Sequence, residues 1–488
     1  MRTALITFVL ASMAQTTAAQ APTPDASTAL TMPRMLSLAP LPRAEFIREW
    51  DGLRDAELAR IVARISRPAS GSGPGGSVAD ARLRLAFQHA QGRVMYPFFH
   101  WRETDAAAIE PDPALVEVIA KLPAVDERLW EFREVRDYLD ARLHELARQH
   151  LAGDADLARG DARWLRAELR SLDALLGSRV LWMRKAAELL AKHIDDDGAY
   201  GIDEPMGWWL ARSPPAESVR KINDAIAADR AHLRGVRSVR YREVGGTPLF
   251  LHILEPAQPR ATPRPAMIWL HGGSATEGTW WHSPVTTRAL LDGGVVVVAV
   301  DLTTGNRFDR DSDQITDSSA AFDYVTAHAG ELGLDPQRIG AAGFSSGASL
   351  ALLLATRGSA PAAMGSGLSP RFPRPAAAIV SGACADPLSR NEDGYFRKTM
   401  AKVGDPADFS PYAKLRVGLP PVLAVHATAD EFCSFSDMTK FVERSRSLGN
   451  EVTLVNIEGA SHFFGFYYAP GQQQQRAAIA EALRRWGW

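Results

Sequence analysis

Apolar residues in the first half of the chain recur with the period of an amphipathic helix. Within residues 43–235 they return every three or four positions, which places them on one face of a helix. Stripes of this kind run through residues 164–176 and 180–194. The clearest stripe comprises Leu129, Phe132, Val135, Leu139, Leu143 and Leu146. The pattern predicts an all-helical domain of about six helices over residues 43–235.

Short apolar runs replace the helical stripes from about residue 236. They begin with a hairpin pattern over residues 239–254 and continue with a buried run at 295–300, which reads V-V-V-V-A-V. Amphipathic helix patterns, such as residues 318–329, separate the runs. Continuous apolar strands that alternate with helices predict a parallel sheet covered on both faces. The predicted fold class is therefore α/β, a doubly wound and mostly parallel sheet over residues 236–488, preceded by the all-α domain.

The first residues predict an export signal. Arg2 supplies a positive start, the apolar run at residues 4–14 is too short to span a bilayer, and small residues near Ala19 suit cleavage. We expect residues 1–20 to be a signal peptide and residues 21–42, rich in Pro, Thr, Ala and Ser, to be a flexible tether. The mature protein is then secreted or periplasmic. The alternative is an uncleaved membrane anchor, which needs an apolar run about twice as long.

Charge excludes two classes of partner. The chain has 55 Lys and Arg against 57 Asp and Glu, a net charge of -2. This balance predicts no binding to nucleic acid or to an anionic membrane surface. We expect no membrane span either, because no later stretch is apolar over a sufficient length.

One acidic segment has the spacing of a calcium-binding loop. His193, Asp195, Asp197 and Glu204 follow that spacing, but a histidine occupies the first ligand position and Pro205 obstructs the exit helix. A solvated acidic loop is therefore the favoured interpretation, and calcium binding stays open. We predict no metal site.

The sequence Gly343-Phe344-Ser345-Ser346-Gly347 is the strongest local signal of chemistry. A β-prone run leads into it and an Ala/Leu helix pattern follows at once. G-x-S-x-G between a strand and a helix is typical of a nucleophile elbow, in which the glycines leave room for a very sharp turn. Ser345 is the candidate nucleophile, since only this serine has a glycine two residues away on both sides.

A base and an acid follow Ser345 in the order that this elbow requires. Asp430 and His462 each come directly after a predicted strand, at the end where α/β sheets place their sites. We predict a catalytic triad in which His462 takes the proton of Ser345 and Asp430 orients the imidazole. Glu431 and Asp386 are the alternative acids.

Backbone N–H groups that can stabilise an oxyanion are expected in two places. His271-Gly272-Gly273 follows the strand pattern at residues 266–270, and its glycines let the backbone approach a substrate oxygen. Ser346 opens the helix after the elbow. We predict that Gly272, Gly273 and Ser346 form the oxyanion hole and that His271 braces the loop.

These motifs together resemble the α/β-hydrolase superfamily, specifically the acetyl esterase, hormone-sensitive-lipase-like and feruloyl-esterase-like carboxylesterases. The resemblance covers residues 239–488, and residues 40–235 resemble no known family. It implies hydrolysis of carboxylic esters of short acyl or feruloyl type, including esters on carbohydrate, with no cofactor. Ser274 stands where the family has a third glycine or an aromatic residue, which leaves the acyl preference open. The matching segments are 271–273, 343–347, 410–411, 420–430 and 458–464.

The resemblance also suggests a disulfide. It makes the strands that end at Ser381 and His426 neighbours, and Cys384 and Cys433 fall just beyond those ends. An exported protein with two such cysteines is expected to join them. Free thiols are the alternative.

Aromatic residues are expected to border the substrate pocket. Trp280 and Trp281 follow the oxyanion loop, and the insert at residues 386–418 carries Tyr395 and Phe396. We predict that Trp280 and Trp281 bind the substrate as part of an aromatic rim, which suits an acyl or aromatic ester, although ordinary packing explains these residues equally well.

Two further functions remain open at this stage. A peptidase of the prolyl-oligopeptidase-like type has the same triad, but its relatives usually carry a β-propeller before the hydrolase domain. The other function is that of a non-catalytic binding protein on a hydrolase fold. The intact triad in the right order argues against it, because such a protein has no need of one. The oligomeric state is not legible from the sequence.

Overall fold

A computed structural model describes most of the chain. Residues 1–29, which include the predicted signal peptide, lie outside it, as do Ser274, Trp281, Tyr395 and Phe396. The described residues are 30–65, 77–104, 114–154, 162–258, 261, 263–273, 278, 280, 284–303, 311–356, 374–389, 406–467 and 469–488.

The described residues divide into two compact units. The helical unit comprises residues 30–190 and 201–218, and the sheet unit comprises residues 191–200 and 219–488. Residues 191–200 and 219–235, which the sequence pattern groups with the helices, thus belong to the unit that contains the sheet. None of the described helices is long and apolar enough to cross a membrane.

Helices form the regular structure of the described residues before 232, as the apolar stripes predict from residue 43 onward. Residues 32–38 are expected from the sequence to belong to a flexible tether but form a helix with Met35 and Leu38 buried, so that expectation is wrong for this segment. Two of them, α8 and α10, begin in the helical unit and end in the sheet unit. The helices are α1 (Met32–Leu38), α2 (Arg43–Ile65), α3 (Val78–Thr104), α4 (Leu115–Ala120), α5 (Glu127–Trp130), α6 (Arg133–Gly153), α7 (Arg163–Leu175), α8 (Arg179–Asp197), α9 (Asp203–Leu210) and α10 (Ala216–Arg230).

One predicted stripe is divided between two helices. Leu129 lies in α5, whereas Val135 begins the buried face of α6. Phe132 between them is extended, with φ -80° and ψ 127°, and Asp126 caps α5 by accepting a hydrogen bond from Leu129 N at 2.8 Å. The apolar spacing continues through this break, so periodicity alone predicts one long helix.

Eight strands form one sheet in the order β1-β2-β4-β3-β5-β6-β7-β8. Pairing is antiparallel at β1–β2 and β2–β4 and parallel at the other contacts. This confirms the predicted α/β class. The strands are β1 (Leu233–Val244), β2 (Thr247–Pro256), β3 (Arg264–Leu270), β4 (Val296–Val300), β5 (Leu334–Phe344), β6 (Ala378–Ser381), β7 (Val422–Ala427) and β8 (Val452–Ile457).

The core of the sheet unit lies where its central strands meet the surrounding helices. Every residue of β3, β4 and β7 is buried. Burying one Val or Leu side chain adds about 1.5–3 kcal/mol to the free energy of unfolding, relative to leaving it exposed. Because β3, β5, β6, β7 and β8 run parallel, the loops after them emerge at one edge of the sheet. The helices of this part are α11 (Pro284–Asp292), α12 (Asp311–Ala327), α13 (Ser346–Thr356), α14 (Phe435–Ser447), α15 (Phe464–Tyr467) and α16 (Ala469–Trp486).

Candidate active site

Ser345 occupies the turn between β5 and α13 in a conformation that non-glycine residues seldom adopt. Its φ is 54°, and its N–H donates to Ser381 O at 2.9 Å. A Cβ placed on Gly347 would lie 2.1 Å from Leu270 O, and one on Gly343 would lie 2.4 Å from the Gly347 carbonyl. No side chain fits at either position, so the two glycines are what allows the turn to be this tight.

His462 lies between Ser345 and Asp430. Its Nε2 is 3.0 Å from Ser345 Oγ, and its Nδ1 is 2.7 Å from Asp430 Oδ2. A carboxylate can only accept, so Nδ1 carries the proton and Nε2 is left to accept the hydroxyl proton of Ser345. The structure therefore brings together the three residues that the sequence predicts, with a continuous path from hydroxyl to imidazole to carboxylate.

Asp430 is fully buried and is fixed by its own loop. Its Oδ1 accepts hydrogen bonds from Phe432 N at 2.9 Å and from Cys433 N at 2.7 Å. Burial raises the pKa of Asp430, but the charge of His462 and the hydrogen bonds from His462 and Cys433 outweigh it, so the pKa is lowered overall. The carboxylate is thus ionised and able to stabilise an imidazolium at His462.

The two alternative acids have other partners. Glu431 Oε2 accepts from the backbone N of His462 at 3.1 Å, so it supports the histidine loop without reaching the ring nitrogen. Asp386 Oδ1 accepts from Ser410 Oγ at 2.9 Å and from Leu388 N at 3.2 Å. Among the three carboxylates that the sequence proposes, Asp430 is the one bonded to the imidazole.

The predicted oxyanion loop lies beside the nucleophile. A Cβ on Gly272 would be 3.1 Å from Ser345 Cβ, which shows how closely the two backbones approach. Gly273 has a φ of 120°, and Ser346 is the first residue of α13, where a helix presents N–H groups and a positive dipole end. His271 is buried and its Nδ1 donates to Gly272 O at 2.7 Å, the bracing role expected from the sequence.

Gly278 is a residue of this loop that the sequence interpretation missed. Its φ is 122°, and a Cβ there would lie 2.1 Å from His271 Nδ1 and 2.4 Å from Gly272 O. The backbone at Gly278 therefore packs directly on the segment that carries the predicted oxyanion donors. A single glycine outside any motif gives no signal of such a contact.

Aromatic rings and one glycine hold the His462 imidazole. The rings of Phe344, Phe432 and Phe463 have centroids 5.1 to 5.2 Å from it, and a Cβ on Gly382 would lie 3.1 Å from its Cε1. These contacts limit the rotation of the ring. Phe463 is the sequence neighbour of His462, but the contacts with Phe344, Gly382 and Phe432 join distant segments and have no local signal in the sequence.

Trp280 lies against the first strands of the sheet unit. It is 5% exposed, stacks on His252 with ring centroids 4.0 Å apart, and meets Tyr200 edge-on at 4.7 Å. These contacts are packing contacts. A role of Trp280 in substrate binding stays a prediction, and Trp281 lies outside the described residues.

The predicted disulfide is present. Cys384 and Cys433 are bonded to each other, with Cα atoms 4.6 Å apart. Cys384 N donates to Ser349 Oγ at 3.0 Å, and Ser349 lies one turn after Ser345 in α13. The disulfide thus connects the loop of the acid with a loop that is bonded to the nucleophile's helix.

The acidic segment at residues 193–204 does not form a calcium loop. Residues 193–197 are the end of α8, and α9 begins at Asp203. His193 Nδ1 is 3.4 Å from Asp197 Oδ2 along the same helix, and Asp196 is buried, so the expectation of a solvated loop is wrong here. Within the described part of the chain, no group of three or more His, Cys, Asp or Glu side chains could hold a metal ion.

Comparison with known proteins gives matches over the sheet unit. The model of the BD-FAE family, an esterase family of the α/β-hydrolase type, matches residues 251–367. None of the curated proteins matches the chain.

Among solved structures, esterase 2 of the planctomycete Thermogutta terrifontis is similar. Its propionate-bound form is 28% identical, with a TM-score of 0.45, and the match covers 52% of this chain and 95% of that one. The same esterase phosphoramylated by tabun is 29% identical, with a TM-score of 0.46 and coverage of 52% and 96%.

The strand order of the sheet and the positions of the three site residues are typical of one fold. A strand–serine–helix elbow, an acid after β7 and a histidine after β8 converge at the carboxyl edge of a mostly parallel sheet. The sheet unit therefore has an α/β-hydrolase fold with an assembled Ser-His-Asp arrangement, and over residues 251–367 it is similar to the BD-FAE esterases.

Proposed function

We propose that the protein is a serine carboxylesterase that works through an acyl-enzyme. The observation that carries the proposal is the placement of His462 within hydrogen-bond distance of both Ser345 Oγ and Asp430 Oδ2, at 3.0 and 2.7 Å. The BD-FAE match over the segment that contains the oxyanion loop and the elbow supports ester chemistry.

The first half-reaction acylates the serine. Ser345 Oγ attacks the ester carbonyl carbon while His462 Nε2 takes the hydroxyl proton. Negative charge then develops on the former carbonyl oxygen, which faces the backbone of Gly272, Gly273 and Ser346. His462 returns its proton to the leaving alkoxide, the C–O bond breaks, and the alcohol departs.

The second half-reaction releases the acid. His462 removes a proton from water, and the resulting hydroxide attacks the acyl carbon. The tetrahedral intermediate collapses, Ser345 regains the proton from His462, and the carboxylic acid leaves. Asp430 stays ionised throughout, because its lowered pKa keeps it a carboxylate at neutral pH.

The substrate class and compartment are part of the proposal. Resemblance of the motifs to acetyl and feruloyl esterases supports short acyl or feruloyl esters, including those carried by carbohydrate. The N-terminal pattern of residues 1–20 supports export, and the disulfide of Cys384 and Cys433 suits an oxidising compartment such as the periplasm or the extracellular space. Mass spectrometry of the purified protein tests export, since cleavage is expected near Gln20.

The decisive experiment measures the hydrolysis of esters and of a peptide amide by the wild type and by two serine variants. Wild type is expected to hydrolyse p-nitrophenyl acetate and methyl ferulate much faster than a peptide p-nitroanilide. Ser345→Ala is expected to lower kcat by about a million-fold, since it removes the nucleophile. Ser436→Ala changes an exposed serine of α14 and is the control that keeps activity.

Two results would overturn the proposal. Faster turnover of the peptide anilide than of either ester would identify a peptidase. Turnover that survives Ser345→Ala would show that the hydrolysis does not use this nucleophile.

A further inference from the structure

A second imidazole faces the catalytic acid, and the mechanism above does not use it. His426 lies in β7, four residues before Asp430, and its side chain is completely buried. Its Nε2 is 2.8 Å from Cys433 O and 3.4 Å from Asp430 Oδ2. That carboxylate oxygen is the one to which His462 Nδ1 donates.

The bond to Cys433 fixes the proton of His426. A carbonyl oxygen only accepts, so Nε2 must carry the hydrogen. Nδ1 is then an acceptor, and it is buried without a hydrogen-bond partner among the described residues. A second proton on Nδ1 would have no acceptor among the described residues, so the hydrogen bonding of the ring favours its neutral form.

Two hydrogen bonds hold the backbone of Cys433 in the acid loop, one at its N–H and one at its carbonyl oxygen. Cys433 N donates to Asp430 Oδ1 at 2.7 Å, while Cys433 O accepts from His426 at 2.8 Å. The Cys433 side chain is also tied through the disulfide to Cys384. With Oδ1 bound to the loop backbone in this way, Oδ2 is directed at His462.

We propose that His426 is a positioning residue for the reaction. It anchors Cys433 to the end of β7 and thereby orients the Asp430 carboxylate toward the His462 imidazole. A neutral ring suits this role, because a cation at His426 would compete with the imidazolium at His462 for the same carboxylate oxygen. Burial lowers the pKa of His426, against the opposing influence of Asp430 and Asp437, and so favours the neutral form.

A pair of amide variants tests the reach of this hydrogen bond. His426→Gln places an N–H near the position of Nε2, whereas His426→Asn carries the same amide one methylene shorter and cannot reach Cys433 O. We expect His426→Asn to lower kcat by about a hundred-fold, as misplaced catalytic groups do, with KM nearly unchanged. We expect His426→Gln to retain most of kcat.

The pH profile separates positioning from a merely structural role. A displaced Asp430 stabilises the imidazolium of His462 less, so the acidic limb of kcat/KM is expected to move to lower pH in His426→Asn and to stay in place in His426→Gln. Two other carboxylates at the histidine loop are common to both variants. Glu431 is bonded to the His462 backbone, and Glu458 lies in the loop itself. Rates are expressed per site titrated with a fluorophosphonate, so that misfolded protein does not count.

The inference rests on the proposed esterase function, and one readout does not depend on turnover. The proton between His462 Nδ1 and Asp430 is expected to give a far-downfield NMR resonance in the wild type and in His426→Gln, and to lose it in His426→Asn. Should no ester be a substrate, this resonance still decides the role of His426. Equal kinetics and equal resonances in the two variants would overturn the proposal, as would His426→Asn with wild-type kcat and pH limb.

Discussion

The helical unit and the sheet unit each contain a buried histidine, and the two imidazole rings differ in what surrounds them. In the helical unit His144 is 3% exposed and stacks on Trp164 with ring centroids 4.7 Å apart; burial lowers its pKa to about 3. In the sheet unit His462 is equally buried but lies between a hydroxyl and a carboxylate. The same residue type thus packs on an indole ring in one unit and, in the proposed mechanism, transfers a proton in the other.

The largest expected effect is on the rate of ester hydrolysis, when the buried histidine of each unit is replaced in turn by glutamine. His462→Gln removes the base and is expected to lower kcat/KM by about a million-fold. His144→Gln changes a ring that the proposed reaction does not use, so its kcat/KM should stay at the wild-type value. Ester hydrolysis by both purified variants, normalised to folded protein by circular dichroism, checks the contrast. A large loss of kcat/KM in His144→Gln would show that the helical unit contributes to catalysis.

Glycines provide a second contrast, of intermediate size. Gly278→Ala would force a methyl group into His271 and Gly272 and shift an oxyanion donor, so kcat is expected to fall by about 10²–10³-fold. Gly207 lies inside α9 with open space at the Cβ position, so Gly207→Ala should keep kcat and raise the free energy of unfolding by up to ~1 kcal/mol. Steady-state kinetics and denaturant titration check both. Wild-type kcat in Gly278→Ala would mean that the loop adapts without losing the donor.

The smallest expected effect is on stability as the pH falls. The unfolded chain protonates His144 near its ordinary pKa of 6.5, whereas the folded chain resists protonation down to about 3. The unfolded state therefore binds more protons at His144 in this window, and this residue alone is expected to lower the free energy of unfolding by about 2 kcal/mol between pH 7.5 and 5.0. The lowered pKa values of His89 and His426 add to this slope, whereas the raised pKa values of His193 and Asp195 oppose it.

Urea titrations across this range measure that slope. His144→Gln removes one titrating group and is expected to flatten the curve. An unchanged slope in this variant would show that His144 is protonated in the folded protein as readily as in the unfolded one.

The sequence predicts the site best where function depends on local backbone geometry. The elbow around Ser345 and the loop at Gly272 are short segments whose glycines are required by contacts within a few residues or with the adjacent strand end. Asp430 and His462 could be predicted because parallel strands bring their carboxyl ends together. The disulfide of Cys384 and Cys433 could be predicted because the family resemblance makes the two strands before these cysteines neighbours.

Other features depend on approaches between distant loops, which no local pattern encodes. Gly278 packs on the oxyanion loop and Gly382 on the His462 ring, yet each is an isolated glycine in the sequence. His426 looks like the last residue of a strand until its partners in the acid loop are known. Helix breaks are equally hidden, since the stripe from Leu129 to Leu146 keeps its period across the extended residue Phe132.

The cross-link between Cys384 and Cys433 spans 49 positions of the chain, and this span has a consequence for proteolysis. A single cut between Cys384 and Asp430 separates the polypeptide into a fragment with Ser345 and a fragment with Asp430 and His462. The sulfur bridge keeps those fragments in one molecule, so a nicked enzyme migrates as an intact chain until a reductant is added. The disulfide therefore keeps Ser345, Asp430 and His462 in one covalent molecule after such a cut.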